Sequence, residues 1–219
     1  VKSMEISTFE LERLLEKQLA QRACQNLIAR FCHLHTARRV EDIMAIWSDA
    51  PDARLEQPWG VYDGKESVRR YFSQECPNDP VARKGDLLVD ALSTPVIEVA
   101  TDVKTARGAW FSQGIRTEKK NGEPLCKWYW TKQAVDFRLE EGQWKIWHMA
   151  IFPLLEADYE TPWYEMPKLT QAAFAKYQAD RGPTARYLWS FHEDNQYPLG
   201  HPATPKPYDN FDLEVGYGY

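Results

Sequence analysis

The spacing of apolar residues predicts a long helix near the start of this chain, over residues 8–36. Ile28, Phe31 and His35 recur at intervals of three and four, which places them on one stripe of that helix. A shorter helix is predicted over residues 40–48, and the segment GKESVRRYFSQE predicts a third. The turn-rich stretch between these two predicts one short strand.

Four strand-like segments follow the helices, separated by short turns containing TDVK, KKNGEP and EEGQ. They cover residues 87–100, 105–117, 126–139 and 143–152. Consecutive strands joined by tight turns favour an antiparallel meander over parallel strands with crossover helices. The pattern therefore predicts an α+β fold, a cone in which a curved antiparallel sheet wraps around the long N-terminal helix.

The pattern changes after residue 160. A helix is predicted within residues 163–181, and the last forty residues are rich in proline and aromatic residues without periodicity. We therefore divide the chain into a cone domain, 1–160, and a C-terminal helix with a wrapping tail, 161–219. The tail is expected to cover its own domain, as a lid on the pocket, or to hold a neighbouring subunit.

Charge and composition limit the kinds of partner that this protein is expected to bind. The 219 residues carry a net charge of -5 and no block of basic residues, which excludes nucleic acid and a polybasic membrane anchor as expected partners. No apolar run approaches the roughly 20 residues that span a bilayer. The first eighteen residues lack the apolar core of a signal peptide, and the four cysteines have no regular spacing. A cytoplasmic protein with free thiols is expected.

Four segments in the same order resemble the SnoaL-like family of the nuclear-transport-factor-2-like superfamily. They are IARFCHLHTARRVEDIMAIW, GVYDGKESVRRYF, STPVIEVATDVKTARGAW and FRLEEGQWKIWHM, and the resemblance covers about residues 10–155. It implies a deep, mostly apolar pocket. Relatives include scytalone dehydratase, bile acid dehydratase, ketosteroid isomerase and polyketide cyclases. Many work without cofactor or metal, and others only bind ligands.

The resemblance also points to candidate catalytic residues. Its dehydratases usually carry a Tyr–Asp pair near the end of the first helix, which falls on His35 and Thr36 here. Their usual histidine on the first long strand falls on Asp90. The stripe directs His35 inward and His33 outward. We interpret this as an exchange of roles in which Asp90 orients His35, the general base. A packed His35, with Asp90 exposed or in a structural ion pair, is the alternative.

The last strand offers a third candidate, His148. In a strand of period two, His148 shares a face with Trp144, Ile146, Ala150 and Phe152, which predicts a place on the cavity wall. There it would serve as a general acid or bind a substrate oxygen. A histidine of the core or of an interface is the alternative.

Aromatic residues supply the expected substrate-binding wall for a flat ring. Either Tyr129 or the tryptophans on the opposite face of its strand point into the pocket. The alternative for each aromatic residue is a place in the core. The candidates are Phe31, Trp59, Tyr62, Trp110, Trp128 and Tyr129.

Metal and cofactor motifs are not found in the sequence. His33 and His35 lie about 200° apart on one helix and cannot chelate one ion together. The sequence has no HExxH and no glycine-rich phosphate loop. We therefore expect no metal, no cofactor and a small hydrophobic substrate. Relatives are often oligomers, which leads us to expect a homodimer or homotrimer.

Together these features predict a cofactor-independent lyase. It would act on a hydroxylated aromatic or polycyclic molecule by histidine acid–base catalysis, as a dehydratase or in a retro-aldol, deformylating reaction. Two alternatives stay open. One is a non-catalytic protein that binds small hydrophobic ligands or supports an assembly, and the other is an isomerase like ketosteroid isomerase.

Overall fold

A computed structural model of the chain describes residues 6–77, 79, 81, 83–120, 122–166, 177–184 and 202–212. Within these residues, three α-helices and six strands occur. They are α1 (Thr8–Thr36), α2 (Val40–Ala45), β1 (Arg54–Gln57), β2 (Gly60–Asp63), α3 (Lys65–Glu75), β3 (Leu88–Val99), β4 (Thr105–Lys120), β5 (Glu123–Glu140) and β6 (Gln143–Asp158). A short 3-10 helix, Trp163–Glu165, follows the last strand.

The six strands form one curved sheet in the spatial order β2-β1-β6-β5-β4-β3. Neighbouring strands are antiparallel except β1 and β6, which are parallel. The sheet does not close into a barrel, and α1 packs against it through β3 and β6. This confirms the predicted α+β cone with its helix inside the curve of the sheet.

Helix α1 begins at a capping box. The Ser7 hydroxyl accepts a hydrogen bond from the Glu10 backbone N–H at 3.2 Å, and the Glu10 carboxylate accepts one from the Ser7 N–H at 2.8 Å. The stripe predicted from the sequence, which includes Ile28 and Phe31, is buried against the sheet. The last turn of this helix carries His35, also buried.

The end of α1 is held in place by Arg38, two positions beyond the last helical residue. Arg38 adopts a left-handed backbone conformation, φ 56°, and its side chain is buried. Its guanidinium donates to the Glu75 carbonyl oxygen at 2.9 Å and to the Asp86 carboxylate at 2.9 Å. These bonds tie the end of α1 to the end of α3 and to the segment before β3, which fixes the turn that carries His35.

A β-bulge in β6 changes which side chains face the core. Register with β5 shifts between the pairs Asp136–His148 and Phe137–Ile146, so Trp147 is an extra residue. Phe137 and Ile146 belong to the core inside the sheet, while His148 lies on the outer face. The expectation that Ile146 and His148 share one face is therefore wrong, because the extra residue breaks the period of two.

Several smaller expectations also differ. The turn-rich stretch after α2 forms two strands, β1 and β2, rather than one. The helix predicted within residues 163–181 lies mostly outside the described residues. The boundary between 1–160 and 161–219 stays a prediction. No helix in the described ranges combines the length and apolarity needed to cross a bilayer.

Two segments of the C-terminal region contact the cone. In residues 177–184, the Arg181 carbonyl accepts from the Val61 N–H at 2.9 Å, which extends the sheet beyond β2. In residues 202–212, Phe211 packs on Trp147 with ring centroids 4.5 Å apart. Both described segments thus cover surfaces of the same chain.

Candidate active site

A pocket opens between the end of α1, α3 and the inner face of β3 to β6. Its volume of about 110 Å³ is near the roughly 150 Å³ of an apolar cavity that holds benzene. One part of the wall is apolar, built by Phe31, Trp59, Phe72, Ile151, Pro153 and Leu155. Polar side chains line the rest, among them His35, Asp90, Tyr129, Thr131 and Gln133.

The structure brings His35 and Asp90 together inside this pocket. The distance from His35 Nδ1 to Asp90 Oδ2 is 2.7 Å, and the two side chains are only 11% and 9% exposed. His35 comes from α1 and Asp90 from β3, 55 positions later. The bond orients the imidazole so that Nε2 is the nitrogen left for another partner.

Tyr129 completes a chain of three hydrogen-bonded side chains. Its hydroxyl donates to Asp90 Oδ1, the carboxylate oxygen that His35 does not use. Asp90, Gly114 and Tyr129 lie side by side on β3, β4 and β5. Since Gly114 has no side chain, the Tyr129 ring lies across it; a Cβ there would come within 2.6 Å of Tyr129 Cε2.

Electrostatic interactions favour the ionised pair. Burial alone would lower the pKa of His35, but its hydrogen bond with Asp90 and the negative charge of Asp90 raise it well above its ordinary value, with a further contribution from Cys76. Burial alone would raise the pKa of Asp90, yet His35 and the Tyr129 hydroxyl keep it below its usual range. Burial and the Asp90 charge raise the pKa of Tyr129, which keeps this phenol protonated.

The remaining imidazole nitrogen, Nε2, is buried and has no hydrogen bond of normal geometry among the described residues. The Cys76 side chain is a polar neighbour of this imidazole and contributes to its raised pKa. The ring stacks on Phe31, with centroids 5.6 Å apart and planes 7° from parallel, and meets the edge of Phe72. A buried, oriented imidazole with one open nitrogen can accept or return a proton.

A compact ionic group lies at the same pocket. Arg116 donates to both Glu156 oxygens at 3.0 Å, and Lys127 is 2.9 Å from Glu156 and 3.1 Å from Glu118. The guanidinium also lies 5.3 Å from the centre of the Tyr129 ring. Because these charges neutralise one another, they stiffen the wall behind Tyr129 without leaving Arg116 free for an anion.

Hydrogen bonds and ring stacking hold the aromatic side of the pocket in place. The Trp59 indole N–H donates to the Tyr62 hydroxyl at 3.0 Å, and Gln57 donates to the Tyr71 hydroxyl at 3.2 Å. Tyr177, from the first C-terminal segment, stacks on Trp59 with centroids 5.4 Å apart. The described part of the tail therefore supports this wall rather than entering the pocket.

Comparison with known proteins identifies the family. The sequence profile of the SnoaL-like domain matches residues 16–150, more than half of the chain. This chain belongs to the SnoaL-like domain family. No curated protein sequence matches the chain.

Solved structures share the fold of this SnoaL-like domain at low sequence identity. A protein provisionally assigned as a scytalone dehydratase, from Novosphingobium aromaticivorans, has a TM-score of 0.55 at 13% identity, covering 69% of this chain and 93% of its own. A hexachlorocyclohexane dehydrochlorinase, LinA type 2, reaches 0.56 at 13% identity, with 71% and 99% covered. A nuclear-transport-factor-2-like protein from Salmonella enterica reaches 0.54 at 12% identity, with 62% and 92% covered.

Of the nine residues singled out from the sequence, five line the pocket of the SnoaL-like domain and four do not. The five are Phe31, His35, Trp59, Asp90 and Tyr129. Tyr62 and Trp110 are buried in the core instead, and Trp128 meets Trp163 edge to face. Trp128 alternates with Tyr129 along β5, so only one of them can face inward.

His148 is placed away from the pocket, contrary to its expected position on the cavity wall. On the outer face, its Nδ1 lies 2.9 Å from Asp136 Oδ2, and the side chain is fully buried beneath Phe211 and beside Trp147. The bulge at Trp147 is the cause of this reversal. The described residues thus include two His–Asp pairs, one on each side of the sheet.

Sequence reasoning missed several polar residues of the pocket, namely Glu75, Arg116, Thr131, Gln133 and Glu156. The signal for two of them was present, because Thr131 and Gln133 alternate in phase with Tyr129 along β5. For the ionic residues the sequence offered no signal, since charged residues in strands usually face solvent. Among the described residues, no cluster of three or more His, Cys, Asp or Glu side chains could hold a metal ion.

Proposed function

We propose that this SnoaL-like protein is a cofactor-independent lyase in which His35 is the general base and Asp90 orients it. The observation that carries the proposal is the 2.7 Å contact between His35 Nδ1 and Asp90 Oδ2 in a largely apolar pocket, where Nε2 has no hydrogen bond of normal geometry to a described residue. The substrate is a small hydroxylated aromatic or polycyclic molecule. Acid–base catalysis of this kind contributes about 100- to 10,000-fold to the rate.

In a dehydration, Nε2 of His35 takes a proton from the carbon next to the one that carries the hydroxyl. The electrons of that C–H bond form a C=C double bond, the C–O bond breaks, and the departing hydroxide takes up the proton from the imidazolium to leave as water. Asp90 stabilises the imidazolium while it exists. No external oxidant or reductant is needed.

In a retro-aldol cleavage, the same nitrogen takes the proton of the hydroxyl group instead. A C=O double bond forms, the adjacent C–C bond breaks, and its electron pair passes to a carbon conjugated with the ring. The imidazolium then protonates that carbon. Tyr129 acts in both reactions as a positioning residue, because its hydroxyl holds Asp90 rather than touching the substrate.

Two lines of comparison support the elimination chemistry. The names of two structural neighbours, a dehydratase and a dehydrochlorinase, denote loss of water and of hydrogen chloride from a carbon skeleton. The positions of the acid–base pair also agree with an exchange of roles relative to the dehydratase pattern, with the histidine on the helix and the carboxylate on the strand. A homodimer or homotrimer remains our expectation for its assembly.

The decisive test is the substitution His35→Gln, which keeps a polar side chain of similar size but cannot act as a base. A panel of hydroxylated aromatic and steroid-like compounds is screened with the unmodified protein, and mass spectrometry distinguishes loss of water from loss of a carbon fragment. We expect His35→Gln to lower turnover by at least about 100-fold, with an unchanged circular dichroism spectrum.

His33→Gln is the matched control, since His33 is exposed and lies two residues away on the same helix. It should leave turnover unchanged. Full activity of the His35→Gln variant would rule out the assignment. If compounds bind to the unmodified protein and are recovered without any change in mass, the protein is a ligand-binding member of the family instead.

A further inference from the structure

The pocket has a second polar feature, a strip on the inner face of β4 and β5. Thr131 and Gln133 follow Tyr129 at intervals of two along β5, so all three point to the same side of the sheet. Ser112 is the β4 neighbour of Thr131. Thr131 and Gln133 line the pocket, and Ser112 lies beside them with its side chain fully buried.

Three polar atoms of this strip have no hydrogen bond to any described residue. Ser112 Oγ, Thr131 Oγ1 and Gln133 Oε1 are all buried, and none has a hydrogen-bond partner among the described residues. Gln133 is only 5% exposed. Buried polar atoms are almost always paired, because leaving them unpaired is costly. Three such atoms in a row, two of them on a pocket wall, therefore mark a place where a ligand supplies the missing bonds.

Charge at the pocket limits what that ligand group can be. Among the described residues that line it, Arg116 is the only lysine or arginine, and it is engaged by Glu156 and Glu118. A carboxylate or phosphate placed at Thr131 and Gln133 would meet no available lysine or arginine among these described residues. A neutral group is favoured.

The hydrogen-bonding capacity of Thr131 and Gln133 limits further which ligand group can bind there. Gln133 Oε1 only accepts, so its partner must carry a donor hydrogen, whereas the Thr131 hydroxyl can donate or accept. An ether or a ketone cannot donate to Gln133. A hydroxyl group meets the chemical requirement of both residues, since it can donate to the Gln133 amide oxygen and can accept from the Thr131 hydroxyl.

The strip begins two residues along β5 from the level of Asp90. Tyr129 marks the level of Asp90 on the sheet, and Thr131 and Gln133 lie two and four residues further along β5. At about 3.4 Å per residue, these intervals are roughly 7 and 14 Å. This spacing along β5 favours a second hydroxyl of the substrate, separate from the one that reacts at His35, as the group bound at the strip.

We propose that Thr131 and Gln133 form a subsite for a neutral hydroxyl at the end of the substrate remote from the reacting carbon. The proposal rests on the proposed function, since it assigns a second part of the same substrate. It defines the substrate class as a neutral phenol or alcohol that carries a distal hydroxyl, and it disfavours carboxylated or phosphorylated analogues.

The test compares two probes that differ by one group, 4-ethylphenol and 4-ethyltoluene, titrated into the full chain and followed by NMR. The variants are Thr131→Val, Gln133→Met and their combination, which remove hydrogen-bonding atoms at nearly constant size. We expect the preference for 4-ethylphenol over 4-ethyltoluene to fall about tenfold in the double variant. The melting temperature of the ligand-free double variant should be unchanged or higher.

Ile151→Val is the control, because Ile151 is the β6 neighbour of Gln133 and its side chain has no polar atom. It should change the affinity for both probes by the same factor. Failure of 4-ethylphenol to bind the unmodified protein, an unchanged preference in the double variant, or equal weakening of both probes with a lower melting temperature would each overturn the proposal.

These titrations need no turnover, so they are independent of the acid–base assignment. His35→Gln should keep the preference for 4-ethylphenol even where it abolishes the reaction. If His35→Gln is inactive but still prefers 4-ethylphenol, both proposals are supported. If His35→Gln is active and keeps this preference, only the assignment of His35 as the general base is refuted.

Discussion

At the scale of single residues, two neighbours and burial define the position and the chemistry of the His35 imidazole. Phe31 fixes the plane of the ring, Asp90 fixes which nitrogen is engaged, and burial removes competing water. The raised pKa follows from the second of these effects. A base with a raised pKa is protonated at neutral pH more often than an ordinary histidine, which makes its activity sensitive to pH.

We expect turnover to rise with pH through an inflection above about 6.5, the ordinary histidine value. His35 must lose its proton before it can act as a base, and the ionised Asp90 delays that loss. In Asp90→Asn the charge is gone while burial remains, so the inflection should move to lower pH. NMR titration of the imidazole and the pH profile of turnover both measure this shift.

Asp136→Asn offers a control for the pH measurement. Asp136 belongs to the second His–Asp pair, on the outer face of the sheet, and its substitution should leave the titration of His35 unchanged. An inflection that is the same in the unmodified protein and in Asp90→Asn would contradict the proposed coupling between His35 and Asp90.

Gly114 is the second residue on which the site depends. Gly114→Ala should displace the Tyr129 ring from Asp90, because the added methyl group occupies the space of the ring. We expect a loss of stability of about 1–3 kcal/mol from overpacking and a drop in turnover similar to that of Tyr129→Phe. Gly182→Ala is the control, since no atom of a described residue lies within 4 Å of a Cβ at that position. Turnover equal to that of the unmodified protein would show that Tyr129 does not position Asp90.

At the scale of elements, an expectation from the sequence succeeded where the period of the helix or strand is uninterrupted and failed where it is broken. The helical stripe of α1 predicted the inward position of His35 because an uninterrupted helix keeps its period. Alternation failed for His148 because a bulge adds one residue to β6, and the sequence around Trp147 contains no glycine or proline to announce it. The contact between His35 and Asp90 was expected only through the resemblance, since pairing across 55 positions has no local signal.

The segment 177–184 adds a further element-scale prediction. Glu56, on β1, is fully buried, and it accepts hydrogen bonds from the Thr184 backbone N–H at 2.8 Å and from its hydroxyl at 2.7 Å. Thr184→Val removes the hydroxyl bond to a buried carboxylate, which should cost about 1–2 kcal/mol of unfolding free energy.

The same substitution elsewhere gives a matched comparison. Thr131→Val removes a hydroxyl that has no partner among the described residues, so its unfolding free energy should be unchanged or higher. Urea denaturation of the two variants measures both effects. Equal destabilisation at the two positions would show that hydrogen bonding to Glu56 is not what secures the segment.

At the scale of the whole molecule, the open sheet and the helix inside its curve create the pocket, and the C-terminal segments reinforce it from outside. Tyr177 supports Trp59 on one side, while Phe211 covers Trp147 and His148 on the other. The cone could be predicted from the sequence because the periods of its helices and strands are local patterns. The tail could be predicted only as a segment that covers another surface. Which side chains the tail would cover depends on tertiary contacts that no local pattern encodes.

The hydrogen bonds through Asp90 also have a consequence for the order of folding. They join residues 55 and 39 positions apart, so the site exists only after α1 has docked and β3, β4 and β5 have paired. Contacts between distant parts of a chain form late, because the intervening loop must first be closed. In a stopped-flow refolding experiment, binding competence should lag behind the recovery of helical circular dichroism. A cell would thus contain, for a short time after synthesis, chains with most of their secondary structure and no working pocket.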